Sequence, residues 1–304
     1  MPTLNEIAKQ LVASGKGILA ADESFGTIEK RFAKVGITST HESRMAYREL
    51  LFSTPGLERY ISGIIQFDET LRDQILKNKS IVSIIKVDEG MENFALKPMP
   101  RLAERLAEYA QLGAQATKAR ALLTIGNERF EQNAKISAEY AKICQDAGIV
   151  PIVEPEVLID GEHSMATSEA TNERYLRMVF EELAKANVDL DGMILKPSMV
   201  LPGKESGEKA TPEQVAEATM RVLKKIVPES VAGIAFLSGG QTEDEALMNL
   251  EAINKIGGPW PLTFSYGRAL QDSVLKIWAG KSENVPKAQD MLITRAFRLS
   301  QVLV

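Results

Sequence analysis

Lys196 is the residue of this sequence best placed to act as a nucleophile. It closes the run Met193-Ile194-Leu195-Lys196-Pro197, so its ammonium follows three apolar residues. Desolvation disfavours a charged amine, and a neighbouring cation such as Lys118 disfavours it further; both lower its pKa. A neutral amine attacks a ketone to form an imine. The alternative for such a residue is an ordinary strand-end lysine paired with a carboxylate. Glu154 and Glu156 stand two apart in Val153-Glu154-Pro155-Glu156. Strand geometry places both on one face, with Pro155 expected to disturb regular pairing. One desolvated carboxyl there can serve as general acid or base, while the other holds a lysine. Polar residues end the other apolar runs in the same way: Asp22, Gln66 or Asp68, Lys86 with Asp88, Lys118 with Arg120, Ser238, and Ser265 with Arg268. Ser238-Gly239-Gly240 and Gly267-Arg268 have the composition of phosphate loops. Glycine lets backbone N–H groups approach an anion closely, and arginine offers a bidentate fork.

The elements that must position these residues follow from the hydrophobic pattern. Leu4, Ile7, Ala8 and Leu11 predict an amphipathic opening helix. Eight apolar runs follow, at 17–22, 63–68, 81–88, 116–123, 148–156, 192–197, 233–240 and 262–268. Helical periodicity fills the intervals, as over 100–113, 133–147, 173–186, 212–227, 243–256 and 269–279. Continuous apolar strands separated by helices predict a parallel sheet covered on its outer face. With eight units and no linker, the expectation is one (β/α)8 TIM barrel spanning 1–304, with an extra N-terminal helix. The other candidate, an open doubly wound sheet, finds no G-x-G-x-x-G after its first strand and no Walker P-loop. In a barrel the strand ends named above would converge on one mouth, and the two glycine loops follow strands seven and eight, where phosphate commonly binds.

Composition narrows the chemistry. Hydrophobic residues make up 44% and charged residues 25% of the 304, as in ordinary globular proteins. The net charge of −5 argues against a dedicated nucleic-acid or anionic-membrane surface. Nothing resembles a signal peptide or a membrane span, so a cytoplasmic setting is expected. Two histidines and one cysteine are too few for a His-rich metal site, and neither a metal nor another cofactor is expected. Cys144 falls on an apolar helix face and reads as core. His41 and His163 fall in loop-like segments without a role, and Pro202–Pro212 reads as a solvated loop.

Taken together, the motifs resemble class I fructose-1,6-bisphosphate aldolase, in the branch that includes the animal and plant enzymes. They are GKGILAADES at 15–24, IKVD at 85–88, GIVPIVEPE at 148–156, ILKPSMV at 194–200, FLSGGQ at 236–241 and LTFSYGRALQ at 262–271. The resemblance implies that Lys196 is the Schiff-base lysine. It implies that Asp22 removes the C4 hydroxyl proton, that Glu154 handles the proton transfers of the carbinolamine, and that Glu156 orients the lysines. Lys118 would hold substrate hydroxyls. Ser238, Gly239, Gly267 and Arg268, beside Ser265, would bind the C1 phosphate; Ser24, Thr27 and Lys86, with Arg31 or Arg120 nearby, would bind the other. The implied partners are small sugar phosphates, and the implied assembly is a homotetramer. Two departures stand out. Ala119 replaces the family's usual tryptophan, and the sequence ends at Val304, without counterpart to the flexible tail whose terminal tyrosine assists proton exchange at C3. Competing readings are a related Schiff-base lyase for another ketose phosphate and a barrel that mainly scaffolds other proteins.

Overall fold

The computed structural model describes residues 2–303. Thr3 starts the first helix, α1 (Leu4–Leu11), with a capping box in which it accepts from the Glu6 N–H while Glu6 accepts from its own. Strands and helices then alternate: β1 (Gly17–Ala21), α2 (Phe25–Ala33), α3 (His41–Phe52), β2 (Ile61–Gln66), α4 (Asp68–Arg72) and β3 (Val82–Lys86). A short hairpin, Met91–Glu92 with Ala95–Leu96, precedes α5 (Leu102–Gln111), β4 (Ala116–Leu123), α6 (Phe130–Asp146), β5 (Val150–Val157) and α7 (Met165–Lys185). The rest is β6 (Ile194–Leu195), α8 (Pro212–Ile226), β7 (Gly233–Phe236), α9 (Glu243–Ile256), β8 (Leu262–Tyr266), α10 (Arg268–Trp278) and α11 (Val285–Ser300). Each barrel strand pairs in parallel with the next, and β8 closes on β1 through Ile18 opposite Ser265 and Leu19 opposite Tyr266. The expected (β/α)8 barrel with its extra first helix is therefore the fold.

Period-two alternation explains how one barrel interior can be both core and reaction site. Inward positions at the strand starts are apolar: Ile18, Ala20, Val82, Ile84, Ala116, Val150, Ile152 and Ile194 form one buried cluster with Ile7, Ala8, Leu11 and Val12 of the N-terminal segment. Two residues further along the same faces stand Asp22, Lys86, Lys118, Glu154 and Lys196. The outward residues, such as Leu19, Ile64, Ile85 and Val153, join the larger core beneath the helices. The N-terminal segment plugs the floor closely enough to require glycine around it. A Cβ on Gly63 would stand 2.7 Å from Leu11 Cδ2, and one on Gly233 would stand 2.6 Å from Val12 Cγ1.

Three expectations need correction. The run 192–197 contributes only two ladder residues, because Pro197 has no N–H to continue pairing; the Lys196 N–H still reaches the Val153 carbonyl at 2.8 Å. Pro155 does not disturb β5, whose register with β4 runs from Ala116–Val150 through Ala121–Pro155 to Leu123–Val157. Its missing donor faces the β6 side, beyond the last paired residue there, so no ladder bond is lost. His41 is the first residue of α3, where its ring nitrogens meet Glu69 and Asp73 at 3.1 Å each. Cys144 is fully buried, as expected, and burial pushes its thiol pKa up to about 12. Among the described residues no helix is long and apolar enough to cross a membrane.

Candidate active site

The strand ends place four acids and four bases in one connected array. Register sets Lys86 on β3 opposite Lys118 on β4, and Arg120 on β4 opposite Glu154 on β5. Glu154 bridges two lysines, with Oε1 3.0 Å from Lys196 Nζ and Oε2 3.3 Å from Lys118 Nζ. Lys118 Nζ also lies 2.7 Å from Asp22 Oδ2 and 3.9 Å from Asp88. Asp88 ties the neighbouring strands together: Oδ1 accepts from Lys86 Nζ at 2.7 Å, and Oδ2 accepts from the Arg120 backbone N–H at 3.2 Å. Glu156 pairs with the Arg120 guanidinium. Lys118 and Lys196 are each 3% exposed and Glu154 is 4% exposed. Charges so thoroughly buried persist only when compensated.

That compensation shows in the protonation equilibria. Burial pushes the Asp22 pKa up, but the charges of Lys118, Lys196 and Lys86 more than offset it and bring it down to about 2. Burial likewise opposes ionisation of Glu154, and Lys118, Lys196 and Arg120 overcome it, holding its carboxyl below the usual range. Burial by itself lowers the pKa of Lys118. Asp22, Glu154 and Asp88 reverse that and raise its pKa above the ordinary lysine value. At neutral pH the two acids are therefore carboxylates and Lys118 is a cation.

The array lines a cavity of about 730 Å³ whose walls also include Ser24, Thr27, Ser238, Gly239, Gly267 and Arg268. Two polar wings flank the centre. On one, a Cβ on Gly239 would stand 2.6 Å from Glu156 Oε1, so only glycine brings this backbone against the array. Arg268, exposed at the start of α10, has no ion-pair partner among the described residues. Ser265 Oγ is buried with no hydrogen-bond partner there. On the other wing the Ser24 and Thr27 hydroxyls are 3.1 Å apart at the start of α2, in the cavity that Lys86 also lines.

Comparison with known proteins places this geometry. The family model for class I fructose-bisphosphate aldolase matches residues 3–303. The chain belongs to the class I fructose-bisphosphate aldolase family. Among its relatives, cytosolic fructose-bisphosphate aldolase 4 of Arabidopsis thaliana is 47% identical, over 93% of this chain and 78% of the relative. The Drosophila melanogaster aldolase is 46% identical over 96% of this chain and 88% of its own. A probable class 1 aldolase of Xanthomonas campestris is 45% identical over 96% and 95%. A solved structure of Plasmodium falciparum aldolase, in complex with TRAP and a small-molecule inhibitor, matches with a TM-score of 0.95 at 44% identity, covering 98% of this chain and 93% of that one. The activity is that of a carbon–carbon lyase of glycolysis acting on fructose 1,6-bisphosphate through a lysine Schiff base.

Gln66, which donates to Ser83 Oγ at 2.8 Å, and Asp68, which pairs with Arg72 at 2.7 Å, do not line the cavity, whereas every residue to which the resemblance gives a role borders it. Two of them have partners other than those expected. Glu156 holds Arg120 and not a lysine; it is Glu154 that spans the lysines. Arg31 is committed to Glu23, to Gln271 at 3.2 Å and to Asp272 at 3.2 Å. The motifs do not single out Glu23, which also binds Arg48 at 2.7 Å, or Lys30 and Lys34, which line the mouth. The lysines were legible in principle. Thr27, Lys30, Arg31 and Lys34 recur at helical spacing and so share one face of α2. Glu23 carried no such signal, because its partners come from two different helices.

Proposed function

We propose that this chain cleaves fructose 1,6-bisphosphate reversibly into dihydroxyacetone phosphate and glyceraldehyde 3-phosphate, with Lys196 as the imine-forming residue. Glu154 takes the proton that the Lys196 ammonium must lose and returns protons as the carbinolamine forms and expels water. The protonated imine then withdraws electrons as the C3–C4 bond breaks, while Asp22 accepts the proton of the C4 hydroxyl. The substrate's phosphate charge offsets the lysines around Asp22 and raises its proton affinity in the complex. Lys118, kept cationic, donates to substrate hydroxyls, and Glu156 positions Arg120 beside them. Ser238, Gly239, Gly267 and Arg268, with Ser265 alongside, receive the C1 phosphate. Ser24, Thr27 and Lys86, with Arg120 and Arg31 nearby, receive the C6 phosphate. The chain works as a single domain over 1–304, in the cytoplasm, as a homotetramer without a cofactor.

One observation carries this reading. A buried carboxylate, Glu154, lies within 3.3 Å of two buried lysines, one of which is 2.7 Å from a second carboxylate. An amine, a proton carrier and a base are thus within one substrate's length. Borohydride reduction in the presence of dihydroxyacetone phosphate, followed by peptide mass mapping, tests it. The label is expected on Lys196 and absent from Lys196→Ala. Labelling of Lys118 or Lys86 in the unmutated protein refutes the assignment.

A further inference from the structure

Gln271 makes three hydrogen bonds to three different elements and has no exposed surface. Its Nε2 donates to the Ala20 carbonyl of β1 at 2.7 Å. Its Oε1 accepts from Arg31 of α2 at 3.2 Å and from the Tyr47 hydroxyl of α3 at 3.0 Å. The bond to Ala20 falls at a particular place in the barrel. The β1–β8 register ends at Leu19 opposite Tyr266. Beyond it the two chains would be free to part, and there Gly267 packs so closely that an added Cβ would stand 3.3 Å from the Ala20 oxygen. The Gln271 side chain bridges the seam where the backbone ladder stops.

The two sides of that seam carry different parts of the chemistry. Two residues past Ala20 on the β1 side comes Asp22. On the β8 side come Gly267 and Arg268, and Arg268 shares a face of α10 with Gln271, three residues away. We propose that Gln271 is a positioning residue that sets the distance between the base and the C1-phosphate site, so that a substrate anchored by its phosphate presents its C4 hydroxyl to Asp22. This rests on the roles given above to Asp22, Gly267 and Arg268. Small misplacements matter at this point, since a shift of about 1 Å between reacting groups costs on the order of 100-fold in rate.

Gln271→Glu tests it. The carboxylate keeps the acceptors facing Arg31 and Tyr47 but loses the donor to Ala20, so it opens the seam and leaves the α2–α3 contacts in place. The expected result is a fall in kcat for cleavage of about 10-fold, together with a rise in KM of about 3- to 10-fold for both fructose 1,6-bisphosphate and fructose 1-phosphate. Borohydride trapping at saturating dihydroxyacetone phosphate should stay complete, because Lys196 and Glu154 lie away from the seam. Tyr47→Phe removes a different bond to the same glutamine and should lower Tm while leaving kcat and KM unchanged. If Gln271→Glu fails to fold, Gln271→Met, which keeps the volume and makes none of the bonds, carries the same expectation. Parental kcat and KM in whichever folded variant is measured, or an equal loss of both in Tyr47→Phe, overturns the proposal. Failure of the underlying assignment looks different: Asp22→Asn or Arg268→Ala would then retain parental kinetics in a chain with Gln271 intact.

Discussion

Arg268→Ala separates what a residue does for substrate from what it does for the fold, because the two effects have opposite signs here. Arg268 has no carboxylate partner among the described residues, so its guanidinium is available to the phosphate without breaking an existing pair. A hydrogen bond to a charged group is worth about 1.5–3 kcal/mol, which corresponds to about 10- to 150-fold in KM at roughly 1.4 kcal/mol per decade. The loss should appear for fructose 1,6-bisphosphate and fructose 1-phosphate alike, since both carry the C1 phosphate. The same cation sits at the positive end of the α10 dipole, which disfavours it by about 0.3–1 kcal/mol. Its removal should therefore raise Tm by about 1 °C for a chain of this size. Lys86 differs. Its ammonium already serves Asp88 at 2.7 Å and must be shared with the C6 phosphate, so Lys86→Ala should cost only about 10-fold, and only for the bisphosphate. Steady-state kinetics on both substrates with a thermal melt decides the matter. If Arg268→Ala weakened the bisphosphate and left fructose 1-phosphate unchanged, the two phosphate sites would be assigned backwards. A fall in Tm alongside the KM change would refute the separation of roles.

Two further outcomes are expected. Activity should survive prolonged treatment with EDTA, because the protonated imine already acts as the electron sink; activity lost and then restored by zinc, iron or cobalt would contradict this. Gly233→Ala should press a methyl group to within 2.6 Å of Val12 in the barrel floor. Overpacking of that kind costs about 1–3 kcal/mol, or roughly 2–5 °C in Tm, with KM unchanged because the floor is remote from the mouth; an unaltered melting curve would show that the N-terminal segment does not plug the barrel tightly.

Much of this architecture was legible because one alternation governs core and site alike. Ile152-Val153-Glu154 and Ile194-Leu195-Lys196 each read as apolar runs ending in charge, and the parity that buries Ile152 and Ile194 on the floor points Glu154 and Lys196 into the mouth above. The helices over 212–226 and 243–256 were recoverable from periodicity to within a residue, helped by Thr211 and Thr242, each of which forms a capping box. The pairings were less accessible. Arg31 meets Gln271 across 240 positions of sequence, and no local period encodes such a meeting. Glu154 and Glu156 share a strand and a face, so their division of labour, one to the lysines and one to Arg120, depends on the registers of the adjacent strands. The reach of β6 was overestimated because Lys196-Pro197 reads as more strand, while pairing needs a donor that proline lacks.

The central array has a further consequence. Asp22, Asp88, Glu154 and Glu156 balance Lys86, Lys118, Lys196 and Arg120, and in the proposed mechanism that balance survives the chemistry. Lys196 bears one positive charge as an ammonium and one again as a protonated imine. The resting and reacting states are therefore nearly isoelectric, and the surrounding dipoles need little rearrangement between them. The two phosphates of the substrate meet an interior already neutral overall, so in the proposed mechanism Lys86, which is shared with Asp88, needs help from cations outside the array. Arg268, Lys30 and Lys34 line the mouth without ion-pair partners among the described residues and are the cations so placed.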